Sequence, residues 1–175
     1  MKQLILGGAR SGKSTLAESL AEGIGLSVLY VATATAEDKA MAERIAFHQS
    51  RRSHEWDLVE EPLDLARVLK EHARSDRCIL VDCLTLWLTN ILLREEGVHL
   101  KQEMDALVEL LPQLPGEIIC VSNEVGMGVV PMGEQTRRFV DESGWMHQRI
   151  AALCDRVILT VAGLPHVLKG DRSGL

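Results

Sequence analysis

The residues Gly7-Gly8-Ala9-Arg10-Ser11-Gly12-Lys13-Ser14 have the types and spacing to hold a triphosphate. They match the pattern G-x-x-x-x-G-K-[ST] at every position. In such a loop, backbone N–H groups converge on an anion, which the glycines permit by letting the chain come close. Lys13 then reaches the β- and γ-phosphates, and the Ser14 hydroxyl ligates Mg2+. The apolar run Leu4-Ile5-Leu6 precedes the loop, and Leu16, Ala17, Leu20 and Ala21 follow it at helical spacing. Strand, loop and helix come in the order that aims a helix N-terminus at the anion. A purely structural glycine turn is the other reading of these letters, and the flanks argue against it.

Cys78-Ile79-Leu80-Val81-Asp82 is a second unit of chemistry. Four apolar residues bury a strand, and the terminal carboxylate is placed to hold Mg2+ beside a bound nucleotide. The residues alone also allow Asp82 to cap the next helix. His48 is the third. Met41, Ile45 and His48 share one helix face, which by itself describes a half-buried packing histidine. Arg44, Arg51 and Arg52 lie close in sequence, and a nucleophilic imidazole attacking a phosphate needs such cations. Glu60 and Glu61 precede Pro62. They have the chemistry to accept hydrogen bonds from a guanine edge or a ribose, and equally to serve as first-turn acids of the following helix. Finally, Ser122-Asn123-Glu124-Val125-Gly126-Met127-Gly128-Val129-Val130-Pro131 ends a strand in polar residues and adds two glycines. Glu124 there is a candidate base or a holder for a hydroxyl acceptor; a loop without chemistry is the plainer alternative.

These groups need a frame that brings them together. Gln3–Leu6, Val28–Ala32, Cys78–Val81, Ile118–Val121 and Val157–Val161 read as buried strands without polar alternation, the pattern of a parallel sheet covered on both faces. Helices are expected over Ser14–Glu22, Glu37–Ser50, Leu63–Ala73, Leu84–Arg94, Lys101–Leu111 and Glu134–Leu153, and Val167-Leu168 suggest a short last strand. Pro112, Pro115 and Gly116 stop the fifth helix. The expected fold is therefore α/β, with βαβ units. Gly7, Thr33, Asp82, Asn123 and Gly163 all fall at carboxyl ends of strands, the edge where open α/β sheets bind ligands.

Composition narrows the class. A chain of 175 residues reads as one domain, 1–175, with a small polar tail at 170–175 expected to fray. Net charge is −6, which argues against a general nucleic-acid coat. No apolar stretch reaches 18 residues, and the N-terminus enters a strand directly, so neither a membrane span nor a signal peptide is expected. Cys78, Cys83, Cys120 and Cys154 include no C-x-x-C pair, so a zinc site is not expected, and reduced thiols in a cytoplasmic protein are.

Together these segments resemble the bifunctional adenosylcobinamide kinase/adenosylcobinamide-phosphate guanylyltransferase family. The likeness is carried by Gly7 to Ser14, Tyr30-Val31-Ala32-Thr33-Ala34, Arg44-Ile45 with His48 and Arg52, Leu80 to Thr85 with Thr89-Asn90, and Ser122 to Pro131. It runs from Leu4 to about Leu168. It implies a P-loop NTPase of RecA-like architecture that assembles as a cyclic homotrimer. It implies transfer of a γ-phosphate from a triphosphate, ATP or GTP, to adenosylcobinamide. It also implies guanylylation of His48 by GTP and passage of the GMP to adenosylcobinamide phosphate. Nucleotide contacts are implied for Ala32, Thr33, Ala34, Gln49, Ser50, Arg51, Arg52, Glu60 and Asp82, beside the loop residues Gly7, Gly8, Ala9, Arg10, Ser11, Gly12, Lys13 and Ser14. Phe47 stands where some relatives carry a second histidine, which leaves His48 as the single nucleophile. Two other readings stay compatible with the letters: a single-activity small-molecule P-loop kinase, and a nucleotide-driven RecA-like binding module.

Overall fold

The computed structural model describes residues 1–35 and 55–174. The expected helix Glu37–Ser50 and the residues His48, Gln49, Ser50, Arg51 and Arg52 lie outside them.

Seven strands form one sheet: β1 (Lys2–Gly7), β2 (Ser27–Ala32), β3 (Asp57–Glu60), β4 (Arg77–Asp82), β5 (Glu117–Asn123), β6 (Arg156–Val161) and β7 (Leu164–Lys169). Their order is β3-β2-β4-β5-β1-β6-β7. Every neighbouring pair is parallel except the β6–β7 hairpin. Parallel register aligns the strand ends: Gly7 pairs with Asn123, and Ala32 with both Asp82 and Glu60. The five described α-helices are α1 (Lys13–Gly23), α2 (Leu65–His72), α3 (Leu84–Leu93), α4 (Leu100–Leu110) and α5 (Glu134–Leu153). The mostly parallel α/β sheet expected from the sequence is therefore present.

Strand alternation sends side chains to two cores. Ile5, Tyr30, Leu80, Ile119, Val121 and Ile158 pack against Ala17, Leu20 and Ala21 of α1. Leu4, Leu29, Val31, Ile79, Val81, Ile118 and Val157 pack on the other face with residues of α2, α3, α4 and α5, among them Leu69, Trp87, Leu107 and Ile150. Each such Leu or Ile, fully buried, contributes roughly 1.5–3 kcal/mol relative to exposure. The unbroken apolar runs seen in the sequence are the consequence of this cover on both faces.

The strand β3 was not expected. It is an edge strand of four residues, and only Val59 is even partly buried, so hydrophobic periodicity gives it no signal. Glu60 ends this strand, whereas Glu61 serves the turn that follows: its Oε1 accepts from the N–H groups of Leu63 (2.9 Å) and Asp64 (3.0 Å). The suspected last strand exists and is longer than its two-residue signal. Within the tail, the carbonyl of Ser173 accepts a hydrogen bond from buried Arg156.

Candidate active site

The loop after β1 has the geometry its letters demand. Gly12 has φ +93° and Arg10 φ +57°. A Cβ on Gly12 would stand 3.2 Å from Gly163 Cα, and one on Gly7 would stand 2.3 Å from Ser11 Oγ and 2.7 Å from the carbonyl of Thr160. The loop is thus pressed against the β6–β7 turn, and Gly163 N–H donates to the carbonyl of Ser11 at 2.9 Å. The helix α1 begins at Lys13 with neither a side-chain cap nor an acidic residue in its first turn. Its N-terminus keeps its partial positive charge for an external anion. The ammonium of Lys13 rests on the carbonyl of Gly8 at 3.3 Å, a contact that a phosphate oxygen would readily replace.

Asp82 stands two strands away, since β5 lies between β4 and β1. Tyr30 Oη donates to Asp82 Oδ2 at 2.9 Å, and Trp56 stacks on the Tyr30 ring with centroids 6.4 Å apart. A carboxylate held through one oxygen keeps lone pairs for a cation. Burial raises the Cys83 thiol to about 11, the Asp82 carboxylate adds to the rise, and Lys13 opposes it. Both charges therefore act on one place beside the sheet's carboxyl edge. The possible helix-capping role of Asp82 is not the one seen: Cys83 occupies the cap position of α3, without a side-chain cap bond.

The remaining groups of the crevice are linked by side-chain bonds. Thr33 is fully buried and uses all its polar groups within the protein. Its N–H donates to Asp82 O, its Oγ1 donates to Cys83 O at 2.7 Å and accepts from Cys83 N–H at 2.9 Å, and its carbonyl accepts from Asn90 Nδ2 at 2.7 Å. Thr33 shapes the crevice between half-buried Ala32 and Ala34. Asn90 also donates to Pro62 O at 3.1 Å, tying together the loops after β2 and β3. Thr85 Oγ1 accepts from both nitrogens of Asn123, which joins the first turn of α3 to the end of β5. Glu60, exposed at the end of β3, is carried to the same edge by its pairing with Ala32.

One cluster escaped the sequence reading. His147 of α5 is 7% exposed, and its Nε2 lies 2.7 Å from Ser122 Oγ. Its Nδ1 lies 3.8 Å from Glu124 Oε2. Burial lowers the His147 pKa, and Glu124 opposes that shift. The available signal was a histidine one turn from Ser143 and next to Met146 on a buried helix face, a pattern that describes ordinary packing as well as function. Two surface cavities of about 220 and 270 Å³ lie elsewhere, and neither is lined by the P-loop or Asp82.

With this geometry in view, comparison with known proteins is decisive. The profile described as "Cobinamide kinase / cobinamide phosphate guanyltransferase" matches residues 3–168. The chain belongs to this family. The "Bifunctional adenosylcobalamin biosynthesis protein CobP" of Pseudomonas aeruginosa is 60% identical over 98% of this chain and 99% of its own length. The protein CobU of Salmonella typhimurium, with the same description, is 36% identical over 94% of this chain and 97% of its own. Among solved structures, the PH0250 protein of Pyrococcus horikoshii OT3 is similar over 98% of this chain and 87% of its own, with a TM-score of 0.52 and 10% identity. That likeness concerns the fold alone. Membership of the cobinamide kinase family accounts for the intact phosphate loop and the crowded carboxyl edge of the sheet.

Proposed function

We propose that this chain carries out both family reactions in adenosylcobalamin biosynthesis: phosphorylation of adenosylcobinamide by ATP or GTP, and guanylylation of the product by GTP. The observation that carries this reading is the seat formed by the Gly12 turn, Lys13 and the bare N-terminus of α1, which converges with Asp82 at one sheet edge. Gly7, Gly8, Ala9, Arg10, Ser11 and Gly12 wrap the phosphates, and Lys13 offsets their charge as it moves to the leaving oxygen. Ala32, Thr33 and Ala34 line the nucleotide's flank, and Glu60 accepts hydrogen bonds from the base or ribose. Glu61 is occupied by the Leu63 and Asp64 N–H groups and by Arg67, which supports Glu60 as the ligand carboxylate.

A divalent cation fits the donor set. Ser14 supplies a hydroxyl and Asp82 a carboxylate, and Mg2+ characteristically takes one or two protein oxygens together with phosphate oxygens and water. Bound there, it supplies charge neutralisation on the transferring group. For the second reaction, His48 is the nucleophile, with Gln49, Ser50, Arg51 and Arg52 holding the phosphate. Its nitrogen bonds to the α-phosphorus of GTP, pyrophosphate leaves, and the phosphoramidate hands GMP to the phosphorylated corrinoid. The enzyme works in the cytoplasm as a homotrimer. Four buried free thiols and the outward apolar run Met127, Val129, Val130 and Met132 support that setting and an assembled state. Light scattering then gives three times the 19.3 kDa chain mass, and a single-chain mass refutes the trimer.

The test is product analysis. With cobinamide, ATP, GTP and Mg2+, the protein forms cobinamide phosphate and then the GDP derivative. Accumulation of the phosphate alone identifies a single-activity kinase, and nucleotide hydrolysis without either product identifies a nucleotide-driven binding module.

A further inference from the structure

The strand β5 lies between the P-loop strand β1 and the Asp82 strand β4, so whatever leaves its carboxyl end stands over the phosphate seat. Glu124 is the residue that leaves it. Its N–H donates to the carbonyl of Gly7, the first residue of the loop, at 3.0 Å. Asp82 follows Cys78 and Leu80 toward the α1 face, where Lys13 also lies. Glu124 follows Ile118, Cys120 and Ser122 toward the opposite face and meets His147 of α5. The seat therefore has its cation and metal-ligand chemistry on one side and a carboxylate on the other. Phosphoryl transfer needs the attacking oxygen opposite the leaving oxygen. With the leaving β-phosphate held on the α1 side, the acceptor hydroxyl comes from the side of Glu124.

We infer that Glu124 is the catalytic base of the kinase step, gripping the acceptor hydroxyl, and that His147, anchored by Ser122, is a positioning residue for it. The inference rests on the kinase half of the function proposed above. In the step, the hydroxyl oxygen bonds to the γ-phosphorus and the bond to the β,γ-bridging oxygen breaks. The nucleoside diphosphate leaves with that electron pair, and the hydroxyl proton passes to the Glu124 carboxylate and then to water. The carboxylate is aimed from two sides. Gly126 N–H donates to Oε1 at 2.6 Å, and Nδ1 of His147 faces Oε2 at 3.8 Å. A buried, neutral imidazole carries one N–H. Because Nδ1 faces the carboxylate, the tautomer that suits the site carries its hydrogen there, and Nε2 then accepts from the buried Ser122 hydroxyl 2.7 Å away. The other tautomer would turn a lone pair on Nδ1 toward that negative charge.

The two half-reactions separate this role from a structural one. Kinase kcat and KM are measured with ATP and cobinamide, and the GMP adduct formed from GTP is measured by intact mass in the same preparations. Glu124→Gln lowers kinase kcat by about 100-fold or more. Its KM values stay within about threefold and its GMP adduct stays at the wild-type level, because uniform binding and the phosphate seat are untouched. His147→Phe, which keeps the bulk and removes both ring nitrogens, lowers kcat by roughly tenfold, and His147→Asn, which restores a donor near Nδ1, recovers part of it. A Glu124→Gln enzyme with kcat within twofold of wild type overturns the inference. So does equal loss of kinase and adduct in that variant, which would mark Glu124 as a support of the phosphate seat. A wild-type enzyme that makes the GMP adduct and phosphorylates no cobinamide overturns the kinase reading itself, and the inference falls with it.

Discussion

At the scale of single residues, charge and burial decide which groups are chemically available. Lys13 is half-exposed, rests on one carbonyl and sits at the start of α1, whereas Cys83 beside it is held un-ionised by burial, at about 11. Cys78 and Cys154 are pushed up by burial to about 12, so none of these thiols offers a thiolate at neutral pH. Lys13→Ala therefore removes a charge that both proposed reactions need. Each rate drops by at least about 100-fold, read as initial velocities at saturating nucleotide, and a variant with both rates intact contradicts the phosphate-seat assignment. His147 yields a pH dependence of stability. Its native pKa lies below the ordinary value of 6.5 because burial penalises the charged ring. The unfolded chain thus binds the proton first as pH falls. The stability contributed by the neutral ring is complete above about pH 6.5 and is lost progressively between that value and the lower native pKa. The fall in Tm from pH 7.5 to pH 5.5 is accordingly smaller in His147→Phe than in wild type; equal falls contradict the assignment. His147 shows what single-residue reading misses, since its partners Ser122 and Glu124 come from β5 and the residue that follows it, about two dozen positions earlier.

At the scale of elements, the strands β1, β2, β4, β5 and β6 were legible because cover on both faces makes them apolar throughout. The strand β3 was not, because at the sheet edge it needs almost no buried side chain, and its place is set by pairing with β2. The helical patterns over Leu84–Arg94 and Glu134–Leu153 match the bounds of α3 and α5 to within one residue, while the roles of Thr85 and Asn90 were not legible: their bonds to Asn123, Thr33 and Pro62 join elements that only the fold brings together. Tight turns set the remaining geometry. Gly116, at φ +73°, immediately precedes β5, and a Cβ there would lie 2.1 Å from Arg74 O and 2.6 Å from Arg77 O. Those contacts are backbone and have no rotamer to give. Gly116→Ala combines a left-handed penalty with overpacking and destabilises by about 2–5 kcal/mol, measured by urea unfolding. A change below about 0.5 kcal/mol, the range of ordinary surface substitutions, would show that this turn relaxes freely.

At the scale of the whole molecule, parallel register places Gly7, Ala32, Glu60, Asp82 and Asn123 along one edge of one sheet. The two proposed reactions both consume a triphosphate and differ in which phosphorus is attacked. The loop and Asp82 each carry a local signature, whereas Glu60 and Glu61 read equally as first-turn helix acids, and family membership supplied the substrate class. The covalent half of the account depends on His48. Its test is the intact mass of the protein after incubation with GTP and Mg2+, for wild type and His48→Ala side by side. The account predicts an acid-labile adduct of GMP mass on wild type and none on the variant, which retains kinase activity. Wild-type protein that binds GTP and stays unmodified, or a variant that carries the adduct equally, contradicts it.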